Sequence, residues 1–282
     1  MKSCVVETPL CSPQQSCRAK GARSLEMATY FSRINDRLPL LQLDREGFAG
    51  KHTFAPWANW LVPPRLLVGA YPSEWPGIGG QSNLEWVVRH GVNRIISLQA
   101  EMPAPPPYQA AATRIDATRS EQNRWQYGKK PMTCVHVPVQ DFDVPTISQV
   151  QSLVTDMADW LCGGDVIYMH CMGGIGRTGT MCACILISLY SLPAQRALDH
   201  VQAAFDTRKG RGKSPETEAQ VQFVKDWEAH WLQLREQGKV QLPSDKHLAE
   251  GGDVKAAPEF KQGRLTKKRN IASAPGGTRT RT

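Results

Sequence analysis

The sequence predicts an α/β fold: a mostly parallel central sheet flanked by helices, with a glycine-rich loop between one strand and the helix that follows it. Three observations carry this. From about residue 65 onward, short apolar runs alternate with helical patterns, and the series closes in three consecutive helical patterns. The apolar run DVIYM (165–169) then leads straight into HCMGGIGRTG (170–179), where four glycines surround a cysteine and an arginine.

The elements follow in order. Residues 1–57 lack sustained periodicity, contain recurring Gly, Pro and polar residues, and read as a lead segment with a helix near 25–37. Order begins at RLLVGAYP, with a strand from Arg65 to Val68 stopped by Gly69 and Pro72. In SNLEWVVRHG (82–91), Ser82 and Asn83 are capping candidates, Leu84, Val87 and Val88 share a face, and Gly91 ends a short helix. NRIISL is a strand, MPAPPPY a loop, and 108–124 a helix. TCVHVPV (133–139) is again a strand. Ile147, Val150, Leu153, Val154, Met157 and Leu161 then recur at helical spacing between the cap Thr146 and the stop Gly163. Helical patterns at 177–190, 192–207 and 215–236 complete the series, the last with Ser214 as cap, Pro215 in the first turn and Val224, Trp227, Trp231 and Leu234 on one stripe. The expected organisation is a lead segment (1–57), a catalytic domain (58–237) and a basic, disordered tail (238–282).

Composition limits the function classes. The formal charge is +8, and residues 238–282 hold ten Lys and Arg against four Asp and Glu. The charge therefore belongs to a solvated tail rather than to a basic face on the folded part, and nucleic acid is not an expected partner. The longest apolar stretch, MCACILISLY (181–190), is half of the ~20 residues that a membrane span needs. Eight cysteines without C-x-x-C pairs, behind a start that lacks a secretory pattern, point to a reducing compartment without a zinc site. Cytoplasmic localisation is the expectation. KKR at 267–269 would support a nuclear alternative, and the Ser- and Arg-containing first 25 residues an organellar one.

The loop carries the chemistry. A strand that feeds a glycine-rich turn and then opens a helix can point successive N–H groups from Met172 to Arg177 inward, and the helix adds its positive end. Gly173, Gly174, Gly176 and Gly179 let the backbone curl that tightly, so Met172, Gly173, Gly174, Ile175 and Gly176 are the candidate cradle for a phosphate-like dianion. The same field favours the thiolate of Cys171, a nucleophile aimed at phosphorus. Arg177 provides a planar fork for two phosphoryl oxygens. Thr178 can bond the sulfur and help it depart, and His170, counted with Met172–Gly176 among the substrate-binding residues, bonds the loop backbone and shapes the cradle. The loop lacks the Lys of a Walker sequence, and neighbours in a strand point to opposite sides, so His170 and Cys171 are not a protease pair.

VIYMHCMGGIGRTGT resembles the signature of the cysteine-based protein phosphatases, the tyrosine and dual-specificity group, H-C-x-x-G-x-x-R-[ST]; Cys171, Gly174, Arg177 and Thr178 match it. The resemblance extends over about 60–235 through LLVGAYP, HGVNRIISL and SPETEAQVQFV. It implies a phosphatase-like fold and a general acid on a loop upstream of the cysteine. In VPVQDFDVP that acid is Asp141, with Asp143 as the alternative. Gln220 in ETEAQ is similar to the glutamine with which some members place the hydrolytic water, and is equally readable as a solvated helix residue. The match covers about 175 residues, has no phosphotyrosine-clamping segment, and suits a compact dual-specificity enzyme without metal or cofactor. The implied substrate is a protein carrying phosphotyrosine, and also phosphoserine or phosphothreonine. Neutral Met172 and Ile175 speak against polyphosphorylated lipid headgroups. The alternatives are the same chemistry on RNA 5′-triphosphate, a lipid or a sugar phosphate, or a phospho-binding module without turnover. Oxidation of Cys171 to a disulfide with a nearby thiol such as Cys134 is a further expectation. The oligomeric state is left open.

Overall fold

Alternation along the strands builds the sheet. In Leu66–Gly69 (β4), Arg94–Gln99 (β5) and Ile167–His170 (β7), adjacent residues point to opposite faces and every one of Leu66, Leu67, Val68, Ile95, Ile96, Ile167, Tyr168 and Met169 is buried. The computed structural model describes residues 38–44, 46–75, 80–118, 130–208, 212–239 and, as backbone, 248–249. Leu41–Gln42 (β1), Thr53–Ala55 (β2), Ala58–Val62 (β3) and Thr133–Val139 (β6) are the other strands up to residue 239. The six-stranded sheet has the order β2-β3-β4-β7-β5-β6; β4, β7, β5 and β6 are mutually parallel, and β2 and β3 are antiparallel additions. β6 is an edge strand, where Pro138, which has no N–H to give to a ladder, is tolerated. β1 pairs in parallel with Leu248–Ala249 (β8).

Helices cover both faces. Asn83–Arg89 (α2) and Gln109–Ala117 (α3) pack Leu84, Val87, Val88, Ala111 and Ala112 against Leu67, Ile95 and Tyr168. On the other face, Ile147–Cys162 (α4), Gly176–Tyr190 (α5), Ala194–Phe205 (α6) and Glu218–Glu236 (α7) pack against Leu66, Val68, Ile96, Ile167 and Met169. All fifteen residues of α5 are buried, which makes it the axle of this layer. The start of α4 is fixed locally by Thr146, whose hydroxyl accepts from Gln149 N while the Gln149 side chain returns to the Thr146 N–H. Ser82 likewise accepts from Glu85 N at 3.0 Å and starts α2.

Three differences from the sequence reading have physical causes. Order begins before Arg65: within the expected lead segment, β1, Phe48–His52 (α1) and β2 form, and Leu38, Leu41 and His52 are buried. These elements are only two to five residues long, too short to show a period. Ser214 does not cap the last helix, because its hydroxyl donates to Ile175 O in the glycine-rich loop at 2.9 Å. Thr217 caps it instead, in a reciprocal pair with Gln220. The third helix is shorter than 108–124 along its described part, ending at Ala117, and the rest of that stretch beyond 118 lies outside the described residues. The expected helix at 25–37, and the tail beyond 239 apart from β8, also lie outside them.

Trp227 of α7 is fully buried and its indole N–H donates to Ser188 Oγ of α5 at 3.0 Å. Trp227→Ala should lower unfolding stability by about 3–5 kcal/mol through cavity formation, and Ser188→Ala by about 1–3 kcal/mol by orphaning the N–H; urea unfolding checks both.

Candidate active site

The carboxyl ends of the four parallel strands converge, the position at which open α/β sheets bind ligands. Glu101 follows β5, Asp141 follows β6, Cys171 follows β7, and the segment after β4 carries Tyr71, whose N–H donates to Met172 O at 2.9 Å. At the floor of the 171–176 loop, Cys171 Sγ accepts from Gly174 N at 3.2 Å, so the sulfur points into the loop. Gly174 has φ +68°, and a Cβ there would collide with the backbone of Gly69 and Ala70 at the end of β4. Glycine is therefore required both for the left-handed turn and for the close approach of loop to strand. Met172 and Gly173 are exposed, Gly174 and Gly176 are buried, and Ile175 is half-buried at the N-cap of α5.

Arg177 sits in the first turn of α5, with its side chain 1% exposed. Its two terminal nitrogens grip Glu101 end-on, Nη1 to Oε2 at 2.8 Å and Nη2 to Oε1 at 3.0 Å, and Nη1 also donates to Val139 O at 3.0 Å. Nη2 meets Asp141 Oδ1 at 2.8 Å. Nε has no hydrogen-bond partner among the described residues. The Nε–Nη2 edge is thus the edge left for an incoming oxyanion, and Asp141 holds half of it. Hydrogen bonds from the guanidinium hold the Glu101 carboxyl down at about 2.

His170 is fully buried beneath the loop and does not face the cradle, a correction to its expected place among the residues that touch substrate. Its Nδ1 lies 3.1 Å from Cys171 O and its Nε2 2.6 Å from Tyr108 Oη. A carbonyl only accepts, so Nδ1 carries the hydrogen and Nε2 accepts from the tyrosine. Burial pushes His170 down to about 4, so the ring is neutral near pH 7. It shapes the loop through the backbone, as the sequence reading has it. Thr178 differs: its hydroxyl is buried without a hydrogen-bond partner among the described residues, and the bond to the sulfur comes from Gly174.

Asp143 bonds its own turn, Oδ1 accepting from Val144 N at 2.7 Å, while its carbonyl accepts from Gln220 Nε2 at 3.1 Å. Gln220 is fully buried, so it is not the solvated helix residue allowed as its alternative. Its Oε1 accepts from Glu216 N and Thr217 N, which ties the start of α7 to the loop that carries Asp141. Cys134 packs with the cluster under α2 and α3, whereas Cys171 belongs to the cluster on the opposite face, so the sheet stands between these two thiols. Burial raises Cys134 to about 11. Sequence reasoning missed Glu101, Tyr108 and Ser214. An acid directly after a strand, at the sheet edge where ligands bind, was the available signal for Glu101; a tyrosine inside a Pro-rich loop and a serine before a Pro carried none.

Among the described residues, no cluster of His, Cys, Asp and Glu could hold a metal ion, and no helix is long and apolar enough to cross a membrane.

A family model described as PTP-SAK, the Swiss Army Knife protein DSP-PTPase phosphatase domain, matches residues 55–224. The Arabidopsis thaliana protein called phosphatidylinositol 3,4,5-trisphosphate 3-phosphatase and protein-tyrosine-phosphatase PTEN2B is 31% identical over 106 residues, 36% of this chain and 16% of its own length. The chain thus matches about a sixth of that relative. Among solved structures, Tk-PTP in the active form is 23% identical, covering 62% of this chain and 99% of its own, with a TM-score of 0.45. PTPMT1 in complex with PI(5)P is 16% identical, covering 64% and 99%, with a TM-score of 0.44. TpbA of P. aeruginosa in complex with pTyr is 17% identical, covering 65% and 94%, with a TM-score of 0.42.

Burial gives the site a pH dependence of stability with a definite sign. His170, like His52 under β3, is held at about 4 in the folded chain against 6.5 when exposed. Below about 6.5 the unfolded chain therefore binds protons that the folded chain refuses, so stability falls as the pH drops from about 6.5 toward 4 and is fully present above that window. The urea midpoint should decrease across pH 7, 5.5 and 4.5, and His52→Leu should flatten that slope.

Proposed function

Since this chain belongs to the DSP-PTPase phosphatase family, we propose that it is a protein phosphatase that hydrolyses phosphotyrosine, and also phosphoserine or phosphothreonine, through a cysteinyl-phosphate. The observation that carries this reading is the set Cys171, Arg177 and Asp141: a sulfur at the floor of a loop of amides, a guanidinium with one edge open, and a carboxyl resting on that edge. The incoming phosphate takes two oxygens to Nε and Nη2 of Arg177 and displaces Asp141 toward the leaving group. Cys171 Sγ attacks phosphorus; the S–P bond forms as the P–O bond to the leaving group breaks, and Asp141, which takes up a proton from solvent once off the guanidinium, gives that proton to the departing oxygen. Ionised Asp141 then takes a proton from water, whose oxygen attacks phosphorus. The S–P bond breaks, and inorganic phosphate and the thiolate are released. In this reading Gln220, whose Nε2 donates to Asp143 O in the loop that carries Asp141, orients that water.

The rim supports an aryl phosphate over a polyphosphorylated headgroup. Met172 is 52% exposed and Phe142, beside Asp141, is 60% exposed; both are apolar, and Ile175 adds no charge. A headgroup with several phosphates would need cations at these positions, whereas an aromatic ring gains from apolar contact. Among the relatives, PTEN2B carries both a lipid and a protein substrate in its name, so a panel of phosphopeptides, phosphoinositides, sugar phosphates and RNA 5′-triphosphate decides the class.

Hydrolysis of an aryl phosphate in excess chelator should proceed with the native chain and vanish in Cys171→Ser; equal rates would eliminate the mechanism. Asp141→Ala should reduce kcat by about 10²–10⁴-fold while inorganic phosphate still binds. Unchanged turnover would move the acid to Asp143.

A further inference from the structure

Arg208, three residues past the end of α6, is 7% exposed. Its Nε donates to Asn59 Oδ1 at 2.6 Å, Nη1 to Gly174 O at 3.0 Å and Nη2 to Val68 O at 3.2 Å, and the guanidinium lies 5.0 Å from the centre of the Phe205 ring. Every acceptor is neutral, and no carboxylate among the described residues pairs with this cation. A buried charge held this way lacks its compensating anion. The ionisable groups in electrostatic reach are Tyr168, Cys182 and Cys171. Burial pushes Tyr168 and Cys182 far above their ordinary values, so both stay neutral. The sulfur of Cys171 remains. Gly174 is the link: its N–H donates to that sulfur and its carbonyl accepts from Arg208.

We propose that Arg208 is a positioning residue of the phosphate-binding loop: by holding the Gly174 carbonyl it turns the Gly174 N–H onto the sulfur, and its unpaired charge is answered by the Cys171 thiolate and by the phosphate of the substrate. The proposal rests on the reading of Cys171 as nucleophile. The other charged or titratable groups around the sulfur are Arg177 of α5 with its partners Asp141 and Glu101, His170 and Tyr168 of β7, and Cys182 of α5. Arg177 is already engaged by two carboxylates, which leaves Arg208 as the cation with no acid of its own.

Iodoacetamide alkylation of Cys171 in the full-length chain, followed from pH 5 to 8 by mass spectrometry of the peptide that carries it, reads thiolate formation without requiring turnover. Arg208→Gln should slow alkylation at pH 6 by about tenfold, with the gap closing toward pH 8, and Arg208→Lys should keep most of the native rate. Asn59→Asp is an independent variant that does not depend on either of these folding. It retains an acceptor for Nε, gives Arg208 a counter-ion, and should slow alkylation at pH 6 in the same direction. A native pH profile in Arg208→Gln or Asn59→Asp, or an equal loss in the Lys and Gln variants, overturns the proposal. Aryl phosphate hydrolysis by the native chain against Cys171→Ser is run alongside: its absence would remove the phosphatase reading, while the alkylation profile would still report on Arg208.

Discussion

The guanidinium of Arg177 is the joint on which the site depends. It is buried, fixed by the first turn of α5, and bonded to groups that follow two different strands: Glu101 after β5, and Val139 O and Asp141 at the end of β6. A planar fork with five donors can hold a carboxylate on one edge and still offer another, which the point charge of a lysine could not do. Glu101 takes the end-on edge, so the guanidinium cannot rotate away from the loop. Asp141 occupies part of the remaining edge, and in the proposed reaction the group that phosphate displaces from it is the same group that is next required beside the leaving oxygen.

The second constraint is steric. The loop approaches β4 so closely that Gly174 touches the backbone of Gly69 and Ala70, and Gly179 of α5 lies where a Cβ would meet the Ser214 hydroxyl. Ser214 in turn holds Ile175 O. The loop is therefore pinned from three directions: by β4 beneath it, by the 212–217 segment at its helical end, and by His170 at its strand end, itself bonded to Tyr108. Preorganised amides of this kind need no rearrangement when charge develops on the phosphoryl group. The buried groups that hold them, His170 and Arg208, carry the cost of desolvation, which appears as depressed proton affinity in both.

Much of the fold was legible in the chain. The helices α2, α4 and α5 and the strands β4, β5, β6 and β7 fall within a residue or two of their predicted ranges, because apolar period and capping residues are local signals. What the sequence missed lies in β1, α1, β2 and β3, which are too short for periodicity and are stabilised by pairing and burial. Asn59, the second residue of β3, breaks the apolar pattern because it is buried as a hydrogen-bond partner of Arg208.

By itself the sequence determined the loop, its sulfur and its arginine, because those depend on spacing along a few consecutive residues, which the chain states directly, whereas Asp141, with Asp143 as its alternative, entered only through the family resemblance. Only the tertiary structure decided which groups hold them: Glu101 lies 76 residues from Arg177, Tyr108 lies 62 from His170, and Arg208 lies 149 from Asn59. Such pairs meet because parallel strands bring distant segments to one edge of the sheet, and no local pattern records which distant acid, hydroxyl or amide a buried charge will find there.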